Sequence, residues 1–177
     1  RADPQGIKEW RERLGAGHRL LVGLSWRGGG AKTRGHMRSV PLALLIPLLS
    51  RDAVFISLQH GAEAGELDAA AGRLRRFPEV TGNPDQLAAL IAALDLVISV
   101  DNTTAQLAGA LGRTVWVMLS ASPEWRYGIR GESMPWYPSA RLFRQGDDRR
   151  WEPVVQSISN ALEHWRGNAG SGRDALW

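Results

Sequence analysis

The sequence predicts an α/β protein built on an open, doubly wound parallel sheet, and three observations carry that prediction. Apolar runs of strand length recur along the chain, longer stretches of helical period or propensity separate them, and most runs are apolar without alternation. Continuous runs suit strands buried on both faces, and alternating strand and helix calls for parallel pairing with helices on either side. A length of 177 residues suits one such domain and leaves little room for a second.

Asp3-Pro4 joins a helix cap to a first-turn proline and opens a helix that Gly15 ends. A strand over 20–24 leads into a glycine-rich loop and then a helix over 41–49. A second strand over 53–58 precedes a helix over 62–76. Val40-Pro41 and Asn83-Pro84 repeat the cap-and-proline device, the latter before a helix over 84–94. A third strand over 96–100 runs into a helix over 104–111, which Gly112 follows where a left-handed cap belongs. Strands over 114–119 and 141–143 and a closing helix over 151–165 complete the pattern. Residues 1–17 read as a leading helix or linker, 18–166 as the domain, and 167–177 as a loose polar tail.

The composition limits the function classes. Lys and Arg total 22 against 18 Asp and Glu, a net charge of +4, and Lys occurs only at Lys8 and Lys32. Arginine grips phosphate oxygens two at a time, although GC-rich codon usage alone also produces an arginine excess. The arginines are scattered, with no basic run or RNA-binding signature, so small anionic molecules fit better than nucleic acid. With no Cys there is no disulfide, zinc–thiolate site or thiol nucleophile, which agrees with a reducing cytoplasm. No apolar run approaches the roughly 18 residues that a membrane span needs. The four His show no metal-ligand spacing, and no Gly-x-Ser-x-Gly elbow is present.

In doubly wound sheets, ligands gather beyond the carboxyl ends of the strands, and three segments fall there. The first is Asp101-Asn102-Thr103-Thr104, a polar cluster between a buried strand and a helix of small residues. One cap needs one such residue; four in a row favour a phosphate held by the N–H groups and hydroxyls of the first turn. The second is the loop 26–39, which carries Gly28-Gly29-Gly30 with Arg27, Lys32 and Arg38. It has neither the P-loop spacing nor a dinucleotide fingerprint, and reads as a solvated loop or as a diphosphate cradle. The third is Gln59-His60-Gly61 with Glu63 and Glu66, where a carboxylate takes ribose hydroxyls or merely complements a helix dipole. The aromatic stretch from Trp125 to Trp136 reads as a sugar-lining loop or, preferentially, as packing under a long connection.

Several stretches together resemble one family. They are Val22-Gly23-Leu24-Ser25-Trp26-Arg27-Gly28, Arg38-Ser39-Val40-Pro41-Leu42, Ser57-Leu58-Gln59-His60-Gly61, the run from Ala89 through Asp101-Asn102-Thr103-Thr104-Ala105 to Gly112, and Pro135-Trp136-Tyr137-Pro138 with Arg141-Leu142-Phe143-Arg144-Gln145. The chain is similar over about residues 18–165 to the carboxyl-terminal domain of glycosyltransferase family 9, the heptosyltransferase-like proteins, above all the bacterial branch fused to tetratricopeptide repeats. The resemblance implies a Rossmann-like, doubly wound domain forming the carboxyl-terminal half of a GT-B fold. It implies binding of a nucleotide-diphosphate sugar by an inverting enzyme that uses no metal or other cofactor. Arg27, Lys32, Arg38, Asp101, Asn102, Thr103, Thr104 and Gln106 then fall on the diphosphate and sugar, and Gln59, Glu63, Gly82 and Asn83 on the ribose and base.

Two departures from the family pattern matter. Gln106 stands where family members carry His, and an amide donates a hydrogen bond but no positive charge. The acceptor site and catalytic base belong to an amino-terminal half that these 177 residues do not include, so no catalytic residue is assigned and the isolated chain is expected to be inactive. The expected setting is the cytoplasm, with the amino-terminal domain of a longer chain as partner. A degenerate, non-catalytic nucleotide-binding or protein-interaction module is the alternative, and nucleotide-sugar epimerases share the same architecture.

Overall fold

A computed structural model describes residues 1–15, 17, 19–30, 35–50, 52–61, 64–70, 72–80 and 82–165. The six strands β1 (Leu20–Ser25), β2 (Ala53–Ser57), β3 (Leu74–Arg75), β4 (Leu96–Val100), β5 (Val115–Leu119) and β6 (Ala140–Arg144) form one sheet. Their order is β3-β2-β1-β4-β5-β6, and all neighbouring pairs are parallel. The order reverses between β1 and β4, so their carboxyl ends open a crevice where connections leave in opposite directions.

Both faces of the sheet are buried, which explains the unbroken apolar runs. In β5, Val115, Val117 and Leu119 enter one core while Trp116 and Met118 enter the other. The first core is covered by α1 (Pro4–Leu14), α4 (Pro84–Ala93) and α5 (Thr103–Ala110), and the second by α2 (Leu42–Leu45) and α6 (Glu152–His164). Helix α1 is capped by Asp3, whose carboxylate accepts from the Gln5 and Gly6 N–H groups. It buries Trp10 and Leu14, and Trp10 meets Phe77 edge-on at 5.0 Å. Asn83 caps α4 as expected, accepting from the Gln86 N–H at 3.1 Å.

Three expectations need correction. The single helix over 62–76 is instead the short α3 (Ala64–Asp68) followed by the edge strand β3, with Leu74 opposite Phe55. Gly72, at φ 71°, takes a left-handed turn between them that ends any helix. The helix over 41–49 is α2 plus a 3₁₀ segment, Ile46–Ser50, because Pro47 has no N–H to continue an α-helical ladder. Pro41 itself occupies the flanking position of α2, which has no side-chain cap. The expected tail beyond residue 167 lies outside the described residues. No helix among them is long and apolar enough to cross a membrane.

Candidate functional site

Asn102 organises the crevice between β1 and β4. Its Oδ1 accepts from the Ala105 N–H at 3.2 Å, capping α5, and from the Ser99 hydroxyl at 2.9 Å. Its Nδ2 donates to Ser25 Oγ at 2.8 Å and to the Arg27 carbonyl at 3.1 Å. Aspartate caps a helix as well as asparagine, but it has no donors for the second pair of contacts. The amide therefore stitches the start of α5 to the end of β1.

Gln59 braces the same loop from the other side. Its Oε1 accepts from Ser25 Oγ and from the N–H groups of Trp26 and Arg27, and its Nε2 donates to the His60 carbonyl. Glu66 completes this wall, taking the indole N–H of the fully buried Trp26 at 2.7 Å and Arg27 Nη2 at 2.6 Å. Two glycines of the loop are dictated by crowding. A Cβ on Gly28 would lie 2.7 Å from the Arg38 Cβ, and one on Gly35 would lie 2.4 Å from the Gly28 and Gly29 carbonyl oxygens.

Arg38 enters the crevice opposite Arg27. Its Nη1 lies 3.3 Å from the Asp101 carbonyl, 3.5 Å from Asp101 Oδ2 and 3.8 Å from Glu124 Oε1. Asp101 is buried at 5% exposure, and its Oδ1 accepts from the Tyr127 hydroxyl at 2.8 Å. Gln106 Nε2 donates to that same hydroxyl at 2.6 Å. Burial, and then the negative charge of Asp101, push the ionisation of Tyr127 far above the ordinary phenol range. Arg144 secures the Tyr127 loop by donating to the carbonyls of Tyr127, Gly128 and Gly131, and burial lowers the pKa of its guanidinium.

Arg27, Arg38, Gln59, Asp101, Asn102, Thr103, Thr104 and Gln106 thus all lie on segments that leave the carboxyl edge beside the crevice. Thr103 is exposed at the first turn of α5 and Thr104 is buried. Asn102 already engages the N–H groups of Ala105 and Gln106, so those of Thr103 and Thr104 are what an anion at the helix start would meet. Gly82 and Asn83 sit at the start of α4, where Gly82 shares with Gln59 and His60 a recess of about 50 Å³. That volume is on the scale of roughly one or two waters. Lys32 and Glu63 lie outside the described residues.

Sequence reasoning missed Glu124, quoted Arg144 only as part of the family likeness, and gave Tyr127 no role of its own within the aromatic stretch. The aromatic stretch divides: Tyr127 is 1% exposed, whereas Trp125 and Trp136 are 76% and 60% exposed and meet each other edge-on at 6.2 Å. Packing under the connection therefore holds for Tyr127 alone of these three. Among the described residues, no group of three or more His, Asp or Glu is placed to hold a metal ion.

No family model matches the chain. It is 34% identical over 170 residues to Protein FlbA of Caulobacter vibrioides, covering 90% of this chain and 28% of FlbA. Among solved structures it is similar to the ADP-heptose LPS heptosyltransferase II of E. coli, with a TM-score of 0.65 at 15% identity. That match covers 92% of this chain and 51% of the other. It is also similar to a family 9 glycosyltransferase from Veillonella parvula, with a TM-score of 0.59 at 11% identity over 92% of this chain and 52% of the other. The chain therefore has a Rossmann-like fold shared with these glycosyltransferases, and it spans about half the length of their structures.

Proposed function

We propose that this chain is the donor-binding half of an inverting, metal-independent GT-B glycosyltransferase of family 9, taking a nucleotide-diphosphate sugar. The observation that carries the reading is the convergence of Arg38 and the first turn of α5 at the β1–β4 crevice. The heptosyltransferase-like fold supports it. In the complete protein, a carboxylate of the amino-terminal half takes the proton of an acceptor hydroxyl. The hydroxyl oxygen attacks the anomeric carbon, and the bond from that carbon to the diphosphate breaks, leaving its electron pair on the diphosphate. Arg38 and the N–H groups of Thr103 and Thr104 meet the developing charge, with Arg27 and Lys32 flanking. Glu63, Gln59, Gly82 and Asn83 border the ribose and base. We place the activity in the cytoplasm, within a longer chain carrying tetratricopeptide repeats.

The test is calorimetric titration with UDP, ADP and GDP, with and without a chelator. At least one should bind saturably, with affinity unchanged by the chelator; no binding at millimolar nucleotide contradicts the reading. A second reading, a non-catalytic nucleotide-binding module, is favoured by Gln106, whose uncharged amide engages Tyr127. Release of nucleoside diphosphate from a nucleotide sugar by the full-length protein separates the two.

A further inference from the structure

The connection between β5 and β6 spans residues 120–139. It carries a 3₁₀ turn, Trp125–Tyr127, and a bridge from Ser133 to Arg141, and otherwise runs as turns and irregular chain. Connections longer than about 15 residues with little structure of their own are uncommon and are mostly functional or disordered. This one is pinned by a single side chain. Arg144, at the carboxyl end of β6, donates from Nε to the Gly131 carbonyl at 2.8 Å and from Nη1 to the Gly128 carbonyl at 3.1 Å. Its Nη2 donates to the carbonyls of Tyr127 and Arg130. Gly128 and Gly131, at φ 61° and 84°, take positive-φ conformations that let these carbonyls converge. A planar guanidinium presents five N–H donors in a fixed fork, which a lysine ammonium cannot reproduce.

The same stretch of backbone carries a hydroxyl into the crevice. Tyr127 is 1% exposed, and its hydroxyl donates to Asp101 Oδ1 at 2.8 Å and accepts from Gln106 Nε2 at 2.6 Å. It thereby joins the residue before the α5 cap to the first turn of α5. The other carboxylate oxygen of Asp101 lies 3.5 Å from Arg38 Nη1, and the Asp101 carbonyl lies 3.3 Å from it. One continuous set of contacts therefore runs from the end of β6 to the guanidinium of Arg38.

We propose that Arg144 is a positioning residue for the nucleotide site, setting Asp101 and Arg38 through the 127–131 backbone and the Tyr127 hydroxyl. The inference rests on the donor-binding reading of the crevice. Two other roles make different predictions. A distant cation acting on the ligand by charge alone would be replaced by lysine. A brace for the fold alone would lower stability when removed and leave nucleotide affinity as it was.

The test is a double-mutant cycle on Arg144→Lys and Tyr127→Phe, read by calorimetry as affinity for the tightest-binding of UDP, ADP and GDP. Denaturant unfolding fixes conditions in which all four proteins are folded. Each single variant should weaken binding about three- to tenfold, and the double variant should lose no more than the more affected single one. Parent affinity in Arg144→Lys, or losses that add in the double variant, overturn the proposal. If Arg144→Lys does not fold, Gly131→Ala takes its place in the cycle. A Cβ there meets no atom within 4 Å, so the change acts by straining the backbone at φ 84°. A second readout needs no nucleotide. In ¹⁵N spectra of the free chain, the Arg144 or Gly131 variant should displace the Arg38 Nε–H and Gln106 side-chain amide signals, as Tyr127→Phe does. Signals that stay in place overturn the coupling. Displaced signals in a chain that binds none of the nucleotides would remove the donor reading and leave the coupling standing.

Discussion

The two arginines flanking the crevice, Arg27 and Arg38, are held in different ways. Arg27 Nη2 sits 2.6 Å from Glu66 Oε2, and the other oxygen of that carboxylate takes the indole N–H of a fully buried tryptophan. This short, anchored pair is part of the wall that fixes the loop after β1. Arg38 instead faces Asp101 and Glu124 at 3.5 and 3.8 Å, longer than the 2.7–2.9 Å of a charge-assisted hydrogen bond. Arg38 also donates to the Asp101 carbonyl at 3.3 Å, and its side chain is the more enclosed, 15% exposed against 34% for Arg27. The same residue type thus braces the loop after β1 on one side of the crevice and meets the residue before the α5 cap on the other.

Substituting each arginine tests this contrast and carries the largest effects. Arg38→Ala should weaken nucleoside diphosphate binding by about tenfold or more, the size of a lost charge-assisted hydrogen bond. Arg27→Ala should cost about 1 kcal/mol of stability through the loss of a partly exposed ion pair while affecting affinity less. Calorimetry and denaturant unfolding of both variants decide it, and equal losses of affinity would erase the distinction.

A smaller effect is expected at Gln106, which touches the Arg38 side of the crevice through Tyr127 and Asp101. Gln106→His should raise nucleotide affinity several-fold below about pH 6.5, where the imidazole is protonated. The gain should fade above that pH, because neutral imidazole adds no charge. Affinity measured at two pH values on either side of neutrality reads the effect; no difference from the parent at either pH would mean that position 106 does not act on the phosphates.

The strands and the polar start of α5 were legible because burial on two faces and helix capping leave direct marks on residue type. The region after β2 was not. Leu67, Ala70 and Leu74 are spaced like one face of a helix, and all contribute to the same core, although Leu74 does so from a two-residue strand beyond a turn. A strand that short has no periodicity to read. The crevice was legible in its parts and hidden in its pairing. Arg27, Gln59 and Glu66 carry no sequence spacing that announces their mutual bonds, since the topology alone brings β1 and β2 side by side. Tyr127 lay within a recognised aromatic stretch, but only the anchoring of its loop by Arg144 separates it from the exposed Trp125 two residues away.

The central claim is that a nucleoside diphosphate lies between Arg38 and the first turn of α5. Side-chain and backbone ¹⁵N NMR during titration with the tightest-binding of UDP, ADP and GDP tests it most directly. The account predicts that the Arg38 Nε–H and the Thr103 and Thr104 amides shift together and saturate with one affinity, while the Arg27 side chain moves less. Saturable binding that leaves Arg38 and Thr103 unmoved would contradict it.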